Sequence, residues 1–291
     1  MASEAGLSLC TCSLELFTPR TASGVDDFLA PGGRLSSFAA LGPAFVGVSG
    51  PASGSTVRIL EAVRKTHCLR PQLHLPRADL TEEVVAHLVD DALRVGVGDV
   101  LVIGGVPGSL QPTGATAGRF GAASDLVRFL KQKYAGKVRV AVCGYPRGTC
   151  GEAGGYEADV AELKQQAHAG AELIVSMPIF DASTYAQFIT DIRAAGVSCP
   201  VLPGILPLCE ASEFGRICRA LHVTPPPELE RALIEARDAT AVASLSERRL
   251  AGLVRELAQQ GAAPPHFYTL NGLSALRAMT GAGYRPLKHR S

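Results

Sequence analysis

Tryptophan is absent from the sequence, and aromatic residues make up only 5% of its 291 positions. A chain so poor in flat rings offers no stacking platform for nucleobases. Charge of one sign is also missing: 28 Lys and Arg face 27 Asp and Glu, for a formal net charge of +1. No basic surface for nucleic acid or an anionic membrane is therefore expected. No apolar run approaches the ~18 residues that a membrane helix needs, so no span is expected. The opening MASEAGLSLCTC contains Glu4 and lacks both a basic segment and a long apolar one. That argues against a secretory signal and an ordinary transit peptide.

Paired cysteine motifs are missing too. The eight cysteines stand at 10, 12, 68, 143, 150, 199, 209 and 218, and no CxxC pair occurs. Zinc spacing is therefore absent. Most lie in apolar segments, as Cys143 and Cys218 do, where a thiol serves as a small hydrophobe. Free thiols point to an intracellular, reducing compartment, cytoplasmic in the first instance and mitochondrial through an internal signal in the second. His74 and His266 stand on different strands, and no His/Asp/Glu cluster has ligand spacing, so no metal site is expected.

What the chain does have is apolar material, 47% of its residues, in a regular rhythm. Short strand-like runs fall at 13–20 (ended by Pro19), 44–49, 72–75, 99–103, 137–143, 172–177, 200–206 and 266–270. Between them lie helical segments at 55–69, 80–97, 124–134, 156–169, 184–195, 211–221, 228–236, 239–260 and 273–280. A weaker helical stretch over 21–41 is interrupted at Pro31-Gly32-Gly33. Strands recur roughly every 30 to 40 residues, apart from a longer last interval, as right-handed βαβ crossovers would give. Eight such units in under 300 residues predict a single (β/α)8 TIM barrel over 1–291. No G-x-G-x-x-G follows the first strand, which argues against a dinucleotide fold of the open type. No G-x-S-x-G occurs either. Glycine-rich loops at 104–108 and 148–155 could cradle a phosphate with backbone amides, although neither has a Walker pattern.

In a barrel the active site lies at the carboxyl ends of the strands. Few polar residues are available there: Glu15, Ser49, His74, Tyr145, Asp181, Thr269 and Asn271. Glu15 stands among Leu14, Leu16 and Phe17. A charged, unpaired carboxylate in such a strand costs several kcal/mol, so it is paired, neutral or put to use. An edge strand with Glu15 facing water is the alternative.

Four segments in order, SLELFTPR (13–20), EADVAELKQQAHAGAELIV (157–175), VLPGILPL (201–208) and HFYTLNGLSALRAM (266–279), together resemble methylenetetrahydrofolate reductase. The resemblance implies a (β/α)8 barrel that reduces 5,10-methylenetetrahydrofolate to 5-methyltetrahydrofolate with hydride from NAD(P)H, usually through FAD. It makes Glu15 the general acid, with a pKa raised by an apolar mouth. It places Ser49, His74, Gly104, Gly105, Ser124, Tyr145 and Asp159 at the cofactor, and Met177, Phe180 and Tyr268 at the folate. Four positions depart from the family pattern. Arg-Gly-Asp becomes Gly104-Gly105-Val106, a Gln becomes Met177, a Lys becomes Gln166, and an Arg becomes Gly272. Each lost charge-assisted contact is worth about 1.5–3 kcal/mol.

Two readings stay open. One is an active reductase, using FAD or passing hydride directly from NADH as a flavin-independent branch of the family does. The other is a catalytically degenerate barrel serving as a structural or accessory subunit of a larger assembly. The expected partners are a folate and either a second copy of the chain or such an assembly. The regulatory region that larger relatives append is not expected, since only about ten residues follow the last helix.

Overall fold

Runs such as Val100-Leu101-Val102 are apolar at every position because a parallel strand between a helical layer and a filled barrel has no wet face. The computed structural model describes residues 11–51, 53–77, 80–104, 120–148 and 155–284. Eight strands are present: β1 (Ser13–Phe17), β2 (Val46–Ser49), β3 (Pro71–Pro76), β4 (Asp99–Ile103), β5 (Arg139–Gly144), β6 (Leu173–Pro178), β7 (Val201–Ile205) and β8 (His266–Tyr268). They close in sequence order into one parallel barrel. Glu15 is level with Gly47 of β2 on one side and Tyr268 of β8 on the other.

The helices are α1 (Ala22–Leu29), α2 (Arg34–Ala39), α3 (Gly54–Lys65), α4 (Glu82–Arg94), α5 (Ala123–Lys133), α6 (Gly155–His168), α7 (Ala182–Ala194), α8 (Ala211–Ala220), α9 (Pro227–Glu235), α10 (Ala239–Gln259) and α11 (Leu273–Gly281). No helix among the described residues is long and apolar enough to cross a membrane. The six described cysteines are free thiols.

Alternation along each strand divides the core. Leu14, Leu16, Val46, Val48, Val100, Val102, Val140 and Val142 face the helices and belong to the main apolar cluster. Inward positions of β4 to β6 are also apolar, with Leu101, Ala141, Cys143, Val175 and Met177 in a second cluster. Inward positions of β8, β1, β2 and β3 are different. Ser13, Glu15, Ser49, Gln72, His74 and His266 are all buried there. The interior thus has one dry wall and one polar wall.

The stretch 21–41 forms two helices, interrupted at Pro31-Gly32-Gly33 as its sequence leads one to expect. Several other boundaries differ from the sequence pattern by a few residues. The N-cap of α5 is Ala122, whose amide is taken by Asp125 Oδ2 at 3.0 Å, so Ser124 lies inside the helix. The last strand stops at Tyr268 because Leu270 (φ 50°) and Asn271 (φ 59°) are left-handed, a conformation that ends a ladder. The Asn271 side chain replaces the missing rungs. Its Oδ1 accepts Phe17 N at 2.9 Å and its Nδ2 donates to Phe17 O at 2.7 Å.

The opposite end of the barrel is fixed by Asp99, 6% exposed at the start of β4. Arg70 grips both its oxygens at 2.6 Å, and Arg139 reaches it at 2.9 and 3.0 Å. One carboxylate therefore ties the starts of β3, β4 and β5. Both guanidinium groups are about half exposed, which discounts their charge, but the forked geometry is of the strong kind. Asp99→Ala is expected to cost about 1–3 kcal/mol, read as a lower urea midpoint. An unchanged midpoint would show that this clamp holds nothing.

Candidate active site

Glu15 is 3% exposed and faces the interior, which excludes the wet edge strand. Its partners come from the next two strands. Ser49 Oγ donates to Glu15 Oε1 at 2.5 Å, and His74 Nδ1 lies 2.8 Å from Ser49 Oγ and 3.2 Å from Glu15 Oε1. Because the serine hydrogen goes to the carboxylate, its oxygen is left to accept from His74 Nδ1–H. The three groups form a directed chain, imidazole to hydroxyl to carboxylate. Glu15 Oε2 and His74 Nε2 are buried without a protein partner among the described residues.

Gly47 makes room for the imidazole. A Cβ there would stand 2.1 Å from His74 Nε2, so the ring lies directly over the bare backbone of β2. Below, His266 meets Ser13 Oγ at 2.9 Å through Nδ1 and packs edge-on to the Tyr268 ring at 5.2 Å. Burial lowers the His266 pKa to about 3, so this imidazole stays neutral. Thr269 Oγ1 donates to the Glu15 carbonyl at 2.7 Å.

The carboxyl of Glu15 does not have the raised pKa anticipated from an apolar mouth. Burial is the largest single influence and does push it up. The hydrogen bond and charge of His74 and the Ser49 hydroxyl together outweigh burial, and the pKa lies below its ordinary value. The polar wall was underestimated because its members come from four strands. Glu15 is thus a carboxylate at neutral pH, and any proton for chemistry is held by the cluster rather than by this residue alone.

The other anticipated positions fall into two groups. Gly104, Tyr145 and Asp159 line a cavity of about 190 Å3 together with Arg77, Ala123, Glu162 and Gln166. The Tyr145 hydroxyl donates to the Gly104 carbonyl. Ser124 sits at its edge with both donors engaged by Glu162: N to Oε1 at 2.8 Å and Oγ to Oε2 at 3.3 Å. Met177 and Phe180 line a second cavity of about 400 Å3 with Tyr145 and Arg147. Tyr268 is buried, donates to Ser176 O at 3.0 Å and touches Met177 Sδ at 3.8 Å. Gly105 lies outside the described residues.

Asp181 is occupied elsewhere. It caps α7 by accepting Thr184 N at 2.7 Å and pairs with Arg147 at 3.0 Å. Although burial acts in the opposite sense, its hydrogen bonds to Ser183, Thr184 and Arg147 lower its pKa to about 2. Sequence reasoning missed Gln72, Glu162 and Arg77. Gln72 had a signal, a polar residue at an inward strand position. The other two sit beyond the strand ends, with nothing in the pattern to mark them.

These features define a class: a (β/α)8 barrel whose polar wall buries one carboxylate, a hydroxyl and an imidazole in contact. The chain belongs to the methylenetetrahydrofolate reductase family, whose sequence model matches residues 4–281. It is 30% identical over 273 residues to methylenetetrahydrofolate reductase (NADH) 1 of Arabidopsis thaliana, covering 89% of this chain and 46% of that one. It is 29% identical over 266 residues to 5,10-methylenetetrahydrofolate reductase of Escherichia coli, covering 89% and 86%. The chain thus spans about half the length of the plant relative. Among solved structures, a Clostridium thermocellum protein described as binding two copies of 5-methyl-5,6,7,8-tetrahydrofolic acid has a similar fold. Its TM-score is 0.63 at 11% identity, covering 94% of this chain and 93% of that one. At that identity the likeness concerns the fold alone.

Two variants probe the cluster. Gly47→Ala should cost about 1–3 kcal/mol through overpacking, seen as a lower unfolding midpoint; no change would mean that the imidazole has room to move. His74→Leu removes the main group holding the Glu15 pKa down, leaving burial to raise it. In the wild type the carboxylate's contribution to stability is present above its unfolded value of about 4.3 and is lost as pH falls through the lower folded value. In His74→Leu the sign reverses, and stability falls as pH rises past the unfolded value. Infrared spectra at neutral pH should show a protonated carboxyl in this variant only, and its absence there would refute the assignment.

Proposed function

We propose that this barrel reduces 5,10-methylenetetrahydrofolate to the 5-methyl compound, with Glu15, Ser49 and His74 as the proton-delivering group. The observation that carries this reading is their buried contact on β1 to β3 of a chain in this family. Two electrons arrive as hydride from NAD(P)H and go to the methylene carbon. One proton goes to the folate nitrogen whose bond to that carbon breaks. That proton starts on the His74 side of the cluster, passes through the Ser49 hydroxyl, and is handed to the nitrogen by Glu15, the catalytic residue of the three. Burial keeps water from the reactive carbon. Met177, Phe180 and Tyr268 offer the apolar surface against which the folate rings would lie.

The family generally uses a flavin together with NAD(P)H. The donors of Ser124 are already engaged by Glu162. That donor set does not fit a dinucleotide diphosphate. Direct transfer from the nicotinamide is the reading these residues support.

A second reading rests on Met177 and Gly272, which stand where the family resemblance asks for folate-binding Gln and Arg. On that reading the barrel is retained as an accessory subunit without turnover. One assay separates the two. Purified chain is given methylenetetrahydrofolate with NADH or NADPH, and both nicotinamide oxidation and the methyl product are followed. Turnover that drops about 10²- to 10⁴-fold in Glu15→Gln, with folding intact, is expected for a general acid. A wild-type chain inert with both nucleotides supports the accessory role, and full activity in Glu15→Gln removes the acid assignment.

A further inference from the structure

The first turn of a helix presents unpaired amide groups and a partial positive charge, and therefore favours an anion. At α5 an anion of the protein's own is already there. Glu162, reaching over from α6, accepts the amide and the hydroxyl of Ser124 with its two oxygens. Asp125 takes the amide of Ala122. Gln166, buried one turn beyond Glu162, turns its Nε2 toward Oε1 at 3.4 Å. A lysine at that place would have carried a charge for an incoming phosphate, whereas the amide only steadies the carboxylate. Arg77, the cation lining this cavity among the described residues, gives its Nη1 to the carbonyls of Phe120 and Gly121, each at 3.1 Å. Asp159 adds a further acidic side chain to the lining.

A phosphate brought to this position would lose the Ser124 donors to an acceptor that is already seated. It would also be repelled by carboxylates on neighbouring turns. We propose that Glu162 is a resident counter-anion that closes the phosphate position of this barrel, so that the chain takes no flavin dinucleotide. The proposal rests on the reductase reading only in treating this cavity as the place where the family would put its flavin.

Binding measurements on the full chain test it without any need for turnover. FAD is titrated into the wild-type protein and its fluorescence followed. Melting temperatures of wild type and Glu162→Ala are compared in phosphate and in chloride at equal ionic strength. The expected result is no saturable FAD quenching by the wild type and no response of its melting temperature to phosphate. Glu162→Ala should melt about 2–4 °C lower in chloride, as for a lost helix cap in a chain of this size, and regain that loss in phosphate. Saturable FAD binding by the wild type overturns the proposal. So does a phosphate response that is equal in the two proteins, or absent from both. If the alanine variant does not fold, Glu162→Gln is put through the same comparison. A chain inert toward methylenetetrahydrofolate that still behaves as expected here sinks the reductase reading and leaves this one standing.

Discussion

A carboxylate cannot remain charged inside a barrel unless donors reach it, and here both donors come from other strands. Glu15 is carried by β1, Ser49 by β2 and His74 by β3, so their meeting depends on the register of two strand pairs. A slip of one residue in either would turn the partner outward among the helices. Gly47 is part of the same constraint, since its missing side chain is the space the imidazole fills. The polar wall, the apolar wall facing it and the position of Tyr268 all follow from how this one contact is accommodated.

The fold was legible because each strand has the length and composition of a run buried on both faces, and each helix the period of one face. The site was legible only as a set of names. Glu15, Ser49 and His74 were visible as polar residues at strand ends, but nothing in the order of residues says that one hydroxyl bridges the other two. The sign of the Glu15 shift went wrong for that reason: counting apolar neighbours along β1 leaves out donors contributed across the sheet. Ser124 shows a related gap. A serine at a helix start reads as a cap or a ligand contact, and only the packing of α6 against α5 shows that Glu162 has taken it. The end of β8 was overextended because Leu270 suits a strand by composition, while its left-handed backbone is imposed by the turn into α11.

The departures from the family pattern do not leave random holes. Gln166 and Glu162 satisfy one another and the α5 terminus. Gly104 packs so closely on Ala123 that a Cβ would stand 2.6 Å from its methyl. Met177 fills the interior beside Tyr268. At Gly104, Gln166 and Met177, where the resemblance implies charged or polar groups for ligands, the described residues make contacts within the protein instead.

The seam between β1 and β8 has a chemical lifetime as well as a mechanical one. Asn271 precedes Gly272, the pairing in which a backbone nitrogen most easily attacks a side-chain amide. In the folded chain that amide is held by Phe17 on both its oxygen and its nitrogen, and the Gly272 nitrogen is turned to Thr269 O at 2.8 Å. Closure therefore shields the very group that maintains it. Once the seam has opened for long enough to deamidate, the resulting aspartate can accept from Phe17 but no longer donate to it, and the molecule ages irreversibly at that joint.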